Sequence, residues 1–280
     1  TISDYSKSEI EKQISMSSSL MHFETNELKF NIIDTPGYMD FAGEVISSVH
    51  VSDIGILSIS ATAGIEVGTE FSWNYLRKAG AIPLISINML DKEHTHFDEI
   101  VEKAKERFTD RIFPIQFSVK TGPGMDSVID LVLNKMLVFD NKGKYKKEDI
   151  PAEYKEKTDE LYQQMIEMIA ESDDELLEIY FDKGELSTDE IKTGLKKAII
   201  NKEFVPLMAT AAESNVGVSR IIEIISDFYP SPVAMSKLDT ENSDKEGITH
   251  KILENENTSI FIYKTTNDSS IGDLSYFKVF

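Results

Sequence analysis

Two residues three positions apart, Asp34 and Gly37, have the chemistry and the spacing to act on a phosphate. They belong to the string Asp-Thr-Pro-Gly-Tyr-Met-Asp-Phe at residues 34–41, which follows a mostly apolar run at residues 30–33 that predicts a strand. Nucleotide triphosphatases use such an aspartate to hold a magnesium-bound water, and such a glycine to bring an N–H to the terminal phosphate. The alternative is an ordinary strand-to-turn junction, because Asp, Pro and Gly are common turn residues.

A second polar string, Asn88-Met89-Leu90-Asp91, begins at the end of another predicted strand over residues 82–88. Open α/β sheets bind their ligands at the carboxyl ends of strands. Guanine requires a carboxylate that accepts two hydrogen bonds, from its N1 and N2 groups, and Asp91 has the position for this. By itself the Asn-x-x-Asp pattern is weak, and its place in a strand-helix series is what strengthens it.

His94 and His96 lie two residues apart and near Asp91 and Asp98, a grouping that a metal site could use. They fall in a polar connection before a predicted helix over residues 97–108, where solvated histidines are more common. We therefore favour solvated side chains over a metal site.

The elements that must position these strings alternate between strands and helices. Near-continuous apolar strands suit a parallel sheet covered on both faces, and apolar residues at helical spacing predict the helices that cover it. The segment 1–19 is polar and Ser-rich, which favours a loop. The predicted elements are a hairpin of residues 20–23 and 28–33, strands 53–60, 82–88 and 204–209, and helices 42–51, 69–79, 97–108 and 219–228.

These strings resemble the translational GTPases, and within them elongation factor G. The resemblance rests on residues 34–41 and on Asn88 with Asp91, and it covers essentially the whole chain. It is nearest to the elongation factor G-like paralogues (second elongation factor G), in which a tyrosine often follows the glycine, as Tyr38 does here. Further matching strings are Gly-Ile-Glu-Val-Gly-Thr-Glu at 64–70, Asp-Asp-Glu-Leu-Leu-Glu at 173–178 and Tyr-Pro-Ser-Pro at 229–232.

The resemblance implies an α/β fold: a P-loop-type GTPase G domain with an inserted α+β subdomain, followed by the start of a β-barrel domain. No G-x-x-x-x-G-K-[ST] string occurs in the chain, so we expect an N-terminally truncated fragment that is inactive alone. We assign residues 1–110 to the first part of the G domain, 111–203 to the insertion, 204–232 to the last strand and helix of the G domain, 233–257 to a linker and 258–280 to the start of the barrel.

GTP and Mg²⁺ are the ligands that the resemblance implies. Ser15, in the string Gln13-Ile14-Ser15-Met16, matches a threonine that ligates magnesium, and Asp34 would hold the ion through water. Gly37 would sense the terminal phosphate. The family has a glycine where this chain has Gln13, so the backbone path can differ there.

The same resemblance assigns the guanine site to Asn88, Asp91 and Ala212. Asn88 would brace neighbouring loops, and the Ala212 N–H would donate to guanine O6. Met89 replaces a lysine whose stem covers the base, and a thioether can still provide an apolar cover. In the Ser-Ala-x-Lys-Asn loop of the family, the serine and the lysine are replaced by Ala211 and Ser214.

Tyr38 stands where the main factor has a histidine that helps to orient the attacking water. A phenol is a poor base near neutral pH, although phosphoryl transfer depends mostly on positioning and electrostatics. Three functions therefore stay open: a GTPase in ribosomal translocation with weakened hydrolysis, a non-hydrolysing ribosome-binding factor, and a ribosome-protection or recycling GTPase. Departures at Gln13, Tyr38, Met89, Ala211 and Ser214 point to the second. We favour the first, an elongation factor G paralogue acting in translocation.

The formal charge of −20 disfavours non-specific association with RNA. Ten Asp or Glu and one Lys lie within residues 167–190, which is ordinarily a solvated helical face. The resemblance implies that this acidic stretch faces the ribosomal stalk protein. It also implies a monomer whose partners are the ribosome, with its ribosomal RNA, and GTP.

Composition excludes several other classes of protein. The chain has no cysteine, so it has no disulfides and no thiolate metal sites. No apolar run approaches the length of a membrane span, and no signal peptide is visible. We therefore expect a cytoplasmic protein without a membrane partner.

Overall fold

The computed structural model describes residues 2–25, 27–235, 237–241, 247–251, 258–268, 270 and 272–280. The chain divides into two compact units, the first comprising residues 1–55, 75–81 and 230–280, and the second residues 56–74 and 82–229. Within the described ranges, every helix is too short or too polar to cross a membrane.

Strands and helices alternate along most of the described chain. The strands are β1 (Ser19–Thr25), β2 (Leu28–Asp34), β3 (Ile54–Ser60), β4 (Ile82–Asn88), β5 (Ile112–Pro114), β6 (Gln116–Ser118), β7 (Ser127–Asp130), β8 (Lys135–Phe139), β9 (Tyr145–Glu148), β10 (Val205–Ala209), β11 (Lys237–Glu241), β12 (Gly247–Lys251), β13 (Ile260–Asp268) and β14 (Gly272–Val279). The helices are α1 (Lys7–Lys12), α2 (Ala42–Val49), α3 (Val67–Ala79), α4 (Phe97–Arg107), α5 (Lys155–Glu171), α6 (Asp174–Lys183), α7 (Thr188–Ile200) and α8 (Val218–Phe228).

The first unit contains the predicted hairpin. β1 and β2 pair antiparallel with Ser19 opposite Asp34, which places the aspartate at the end of the second strand. The structure differs from the loop predicted for residues 1–19, because helix α1 forms there. Its cause is a capping box, in which the Ser6 side chain accepts from the Glu9 N–H and the Glu9 carboxylate accepts from the Ser6 N–H.

The predicted linker at residues 233–257 is wrong in part, because it contains β11 and β12, which pair antiparallel. The sequence there is polar and lacks the apolar alternation that marks a strand, so backbone pairing decides the structure. Residues 236, 242–246 and 252–257 of that predicted linker lie outside the described residues. After it come β13 and β14, which also pair antiparallel.

A four-stranded sheet organises the second unit, in the order β3-β4-β10-β5. β10 runs parallel to both of its neighbours, which confirms the predicted α/β fold. β5 falls inside the range 111–203 that we assigned to the insertion, yet it belongs to this sheet. Its residues Ile112 and Pro114 pair with Val205 and Leu207.

Apolar burial on both faces explains why this sheet is stable. Leu84, Ile85 and Ile87 of β4 are fully buried, as expected for a strand covered by helices on both sides. Burying one such side chain contributes about 1.5–3 kcal/mol. Trp73 is also buried, and it stacks on Phe108 with 5.1 Å between ring centroids, so it is a core residue.

Between β5 and β10 the chain forms an antiparallel sheet, β6-β7-β8-β9, followed by helices α5, α6 and α7. We keep the name insertion for this segment, which interrupts the parallel sheet. Ser187 and Glu190 form a capping box at the beginning of α7. α6 is capped by Asp173, which accepts from the N–H groups of Glu175 and Leu176 and is paired with Lys197.

A buried ion pair joins the sheet of the insertion to α8. The Arg220 guanidinium donates to Asp130 Oδ2 at 2.9 Å, and the two side chains are 3% and 0% exposed. Arg220 also donates to Glu223, which accepts from the hydroxyl of Tyr145. Burial alone would lower the pKa of Arg220, but these two carboxylates outweigh it and raise the pKa, so the guanidinium stays charged.

Candidate functional site

Two neighbouring parallel strands, β4 and β10, bring the predicted base-binding residues together. Asn88 ends β4, and the loop Ala211–Asn215, which we call the base loop, follows β10. The Asn88 amide oxygen accepts from the N–H of Ala212 at 2.9 Å and from the hydroxyl of Thr210 at 3.3 Å. One side chain therefore holds the two loops at the same edge of the sheet, where ligands of open α/β sheets bind.

Asp91 lies beside them with its two carboxylate oxygens in different environments. Oδ2 accepts from the hydroxyl of Ser214 at 2.6 Å. Oδ1 is buried and has no hydrogen-bond partner among the described residues. A buried carboxylate oxygen without a donor is unfavourable, so Asp91 presents an acceptor that suits an N–H from a ligand.

An ion pair at the rim also joins the two loops. Lys92 and Glu213 approach to 2.6 Å, and the pair is exposed. The Glu213 carboxylate raises the pKa of Lys92 and so keeps the ammonium charged. An exposed pair contributes little to stability, so it is a weak link between the two loops.

Met89 occupies a strained position at the same edge. Its φ is 69°, in the left-handed region that side chains other than glycine rarely adopt. The side chain is partly exposed, and its sulfur accepts from the hydroxyl of Ser60 at 3.7 Å. The thioether is thus available as an apolar cover at the rim, next to Asp91.

Among the described residues, one group at this edge is free to bind a guanine base, and another already has a partner within the protein. The unpartnered Oδ1 of Asp91 suits the N1–H or N2–H of guanine. The Ala212 N–H, predicted to donate to guanine O6, already donates to Asn88. A guanine would therefore share that N–H with Asn88.

The predicted phosphate-binding residues lie in the first unit. Asp34 ends β2 and is half-buried, while Pro36 is buried. Gly37 is exposed, and a Cβ there would meet no atom within 4 Å, so packing within the protein does not require a glycine. The open space at Gly37 suits close approach of a ligand to its backbone.

Tyr38 is 58% exposed and precedes the short 3₁₀ turn Met39–Phe41. Its side chain makes no capping hydrogen bond to that turn. The phenol therefore faces solvent. This arrangement leaves its hydroxyl accessible to a water molecule or to a partner.

Ser15 follows α1, and its hydroxyl donates to Asp4 Oδ1 at 2.7 Å. A hydroxyl that donates still has lone pairs for a cation, so the donor set at Ser15 is compatible with magnesium. Gln13, at the position of the family glycine, adopts φ 55° and ψ 38°. This chain therefore keeps at Gln13 a backbone conformation that glycine favours.

Within the described ranges, no group of three or more His, Asp or Glu side chains is arranged to hold a metal ion. His94 and His96 are both exposed, and His96 lies 3.7 Å from Glu99. His94 and His96 therefore do not form a metal site with their described neighbours.

Sequence reasoning did not find two contacts of this site. It missed the hydrogen bond from Ser214 to Asp91 and the ion pair of Lys92 with Glu213. In each pair the partners are more than a hundred residues apart. Nothing local marks them, and the only signal is the position of Ser214 in the loop that follows β10.

Comparison with known proteins gives a family and a fold. Residues 1–231 match the family model described as the elongation factor Tu GTP binding domain. A crystal structure of a protein from Thermus thermophilus matches 100% of this chain with a TM-score of 0.86 and 22% sequence identity. The chain spans 39% of the length of that protein, and at this identity the likeness concerns the fold alone.

Proposed function

We propose, since this chain belongs to the family of the elongation factor Tu GTP-binding domain, that it is part of an elongation factor G-like GTPase acting on the ribosome in translocation. The family membership implies GTP binding. The finer assignment rests on the strings around Asp34, Asn88 and Asp91 and on the geometry of the base-binding edge.

One observation carries the proposal: Asp91 has a buried oxygen without a donor beside an oxygen fixed by Ser214. Guanine offers two adjacent donors, N1–H and N2–H, whereas adenine offers an acceptor at N1. A fixed carboxylate at this edge therefore selects guanine over adenine.

We assign the remaining residues the roles that the family resemblance implies. Ala212 donates its N–H toward guanine O6, Asn88 holds the base loop, and Met89 covers the ring. Ser15 and Asp34 would hold Mg²⁺, Asp34 through water, and Gly37 would contact the terminal phosphate. When bound, Mg²⁺ neutralises charge that develops on the phosphates.

The proposed partners are the ribosome, including its RNA, and the ribosomal stalk protein. The net charge of −20 opposes contact with RNA through this chain alone. Helix α6 is acidic, and its Phe181 is 76% exposed. An acidic surface with an exposed aromatic side chain suits a basic protein partner. We place this activity in the cytoplasm, and the protein acts as a monomer.

A second candidate function is favoured by Tyr38. A solvent-facing phenol at the position of a water-orienting histidine is a poor base, so the protein would bind GTP and the ribosome without useful hydrolysis. In that case it would act by its change of conformation on binding.

GTP turnover by the full-length protein, with and without ribosomes, tests both candidates. The first predicts that ribosomes stimulate turnover, and the second predicts GTP-dependent ribosome binding at a basal rate of turnover. Absence of both GTP binding and ribosome binding would contradict both. Translocation assays then separate translocation from recycling or ribosome protection.

A further inference from the structure

The turn between β8 and β9 in the insertion lies against the segment that follows β10. We call residues 140–144 the insertion turn. The hydroxyl of Ser219 donates to the carbonyl of Gly143 at 2.7 Å, and the amide of Asn215 approaches the carbonyl of Asn141 at 3.5 Å. The insertion therefore contacts the last residue of the base loop directly.

Internal hydrogen bonds make the insertion turn a well-defined support. Asp140 Oδ1 accepts from the N–H groups of Lys142 and Lys144, each at 2.9 Å. Backbone bonds from Asp140 N to Lys144 O and from Gly143 N to Asp140 O close the turn. A turn closed by four hydrogen bonds has a fixed conformation, so it can hold Asn215 and Ser219 in place.

A side chain at position 143 would press on Asn215. A Cβ on Gly143 would lie 3.3 Å from both the Cβ and the carbonyl oxygen of Asn215. Gly143 also has φ 76°, a conformation that favours glycine. The insertion turn thus sets how far Asn215 can move toward the insertion.

A short path leads from this contact to the base-binding carboxylate. Asn215 donates its N–H to the carbonyl of Ala212 at 3.1 Å, which closes the base loop. Ser214, the preceding residue, donates to Asp91 Oδ2. A displacement of Asn215 therefore moves both Ser214 and the Ala212 N–H, the two groups that surround Asp91 and the predicted base position.

We propose that the insertion turn is a positioning element for guanine specificity: it supports the base loop so that Ser214 keeps Asp91 directed at the base. This rests on the proposed function, because it assumes that the edge binds guanine. The insertion then contributes to the preference of the site for guanine nucleotides, besides its proposed contact with the ribosomal stalk protein.

The test uses Gly143→Ala in the full-length protein, with Gly184→Ala as a matched control. Gly184 also has φ 76°, but a Cβ there would meet no atom within 4 Å. Both variants introduce the same backbone strain, and only one of them presses on the base loop. The readout is the ratio of dissociation constants for inosine diphosphate and guanosine diphosphate, because inosine lacks the 2-amino group that would donate to Asp91.

We expect Gly143→Ala to lower this ratio about threefold to tenfold, the range of one ordinary hydrogen bond, because a displaced Ser214 weakens the contact of Asp91 with the base without removing it, and we expect Gly184→Ala to leave the ratio unchanged. A general loss of stability or of phosphate binding would weaken both nucleotides equally and would not change the ratio. Gly143→Ala should also speed hydrogen exchange of the Ala212 N–H in the nucleotide-free protein.

A second pair of variants decides the question if Gly143→Ala fails to fold. Ser219→Ala removes the hydrogen bond to the insertion turn, whereas Ser226→Ala removes a comparable bond within α8, to the carbonyl of Ile222. We expect only Ser219→Ala to lower the ratio.

Two results would overturn the proposal, and they are distinguishable. An unchanged ratio in Gly143→Ala and Ser219→Ala, in a protein that prefers guanine to adenine nucleotides, refutes the positioning role alone. A wild-type protein without that preference refutes the proposed function and this inference together.

Discussion

Asp91 accepts from Ser214 with one oxygen and leaves the other without a partner among the described residues, so its chemical identity decides which base fits. We expect Asp91→Asn to lower affinity for guanine nucleotides at least about tenfold and to raise affinity for xanthine nucleotides. A carboxylate accepts from two donors, as guanine offers, whereas an amide offers one donor and one acceptor, which matches xanthine.

Competition binding of guanosine and xanthosine diphosphates to the full-length protein measures this change. Asp110→Asn is the control. That carboxylate is 93% exposed and lies just before β5, at the amino end of the strand, whereas the base-binding edge is formed at the carboxyl ends of the strands. Unchanged base preference in Asp91→Asn would contradict the assignment.

Tyr38 poses a separate question at the same scale. We expect Tyr38→His to increase ribosome-stimulated GTP turnover about tenfold or more, since a positioned imidazole commonly contributes roughly 10²–10⁴-fold to proton transfer or water orientation. Single-turnover hydrolysis in the presence of ribosomes measures the chemical step. Tyr5→His, at another exposed tyrosine, is the control. If turnover does not change, the departures at Gln13 and Met89 become the explanation for slow hydrolysis.

The hydrogen bonds of the site show which residue-level facts a sequence can reveal. A family spacing predicts Asn88, Asp91 and Ala212 together, and the structure places them at one edge. From the same spacing, Ser214 is only a residue that replaces a family lysine, and no role is predicted for its hydroxyl. Its bond to Asp91 connects residues 123 positions apart, and a contact of this range depends on the packing of β4 against β10.

At the scale of an element, Asp173 holds the beginning of α6 through two N–H groups and through its pairing with Lys197. We expect Asp173→Ala to destabilise α6 by about 1 kcal/mol, and Asp173→Asn to do so less, because asparagine is also a good N-cap. Hydrogen exchange of the α6 amides measures the local free energy of opening. Asp174→Ala, at an exposed neighbour, should have a smaller effect.

The effect of Asp173 should depend on pH. The Lys197 ammonium, together with the capped N–H groups, lowers the pKa of Asp173 below its usual 3.8. A carboxylate whose pKa is lowered by folding stabilises the folded state above its usual pKa and loses that contribution as the pH falls through the lowered value. The difference between wild type and Asp173→Ala should thus be full at pH 7 and decline below about pH 4. A difference that persists undiminished at about pH 2 would contradict this.

Elements with strong apolar patterns are the ones that the sequence predicts best. β4 has the bounds predicted from sequence, residues 82–88, because its apolar run is buried on both faces. β11 and β12 escape prediction, since their residues lack apolar alternation and form strands by pairing with each other. The helix α1 carries a readable signal, serine followed three residues later by glutamate, within a segment whose composition favours a loop.

At the scale of the whole molecule, the first unit brings together segments from both ends of the sequence. The Lys264 ammonium, on β13, donates to the hydroxyls of Ser17 and Ser18 and to the Glu44 carboxylate on α2. Ser18 donates its N–H and its hydroxyl to the same carboxylate. Burial would raise the pKa of Glu44, but these hydrogen bonds and Lys264 lower it overall, so the carboxylate stays charged near neutral pH.

We expect Lys264→Met to destabilise the first unit by about 1–2 kcal/mol, because it removes several charge-assisted hydrogen bonds that are largely shielded from water. Hydrogen exchange of β13 amides and of the Ser18 N–H should accelerate together. Lys278→Met is a graded control, since Lys278 pairs with one carboxylate, Asp53, and is more exposed. An effect of Lys278→Met equal to that of Lys264→Met would contradict the role of Lys264 as the main tie.

The buried pair of Arg220 and Asp130 has a consequence for how the sequence can change during evolution. Asp130 belongs to the insertion and Arg220 to the last helix of the parallel sheet, and both side chains are almost entirely shielded from water. Replacing Asp130 in the folded protein would leave the Arg220 guanidinium buried with Glu223 as its remaining carboxylate partner, which costs several kcal/mol. We therefore expect positions 130 and 220 to change together. Relatives with an uncharged residue at position 130 should also carry one at position 220, so that a residue on α8 records a change ninety positions away in the sequence.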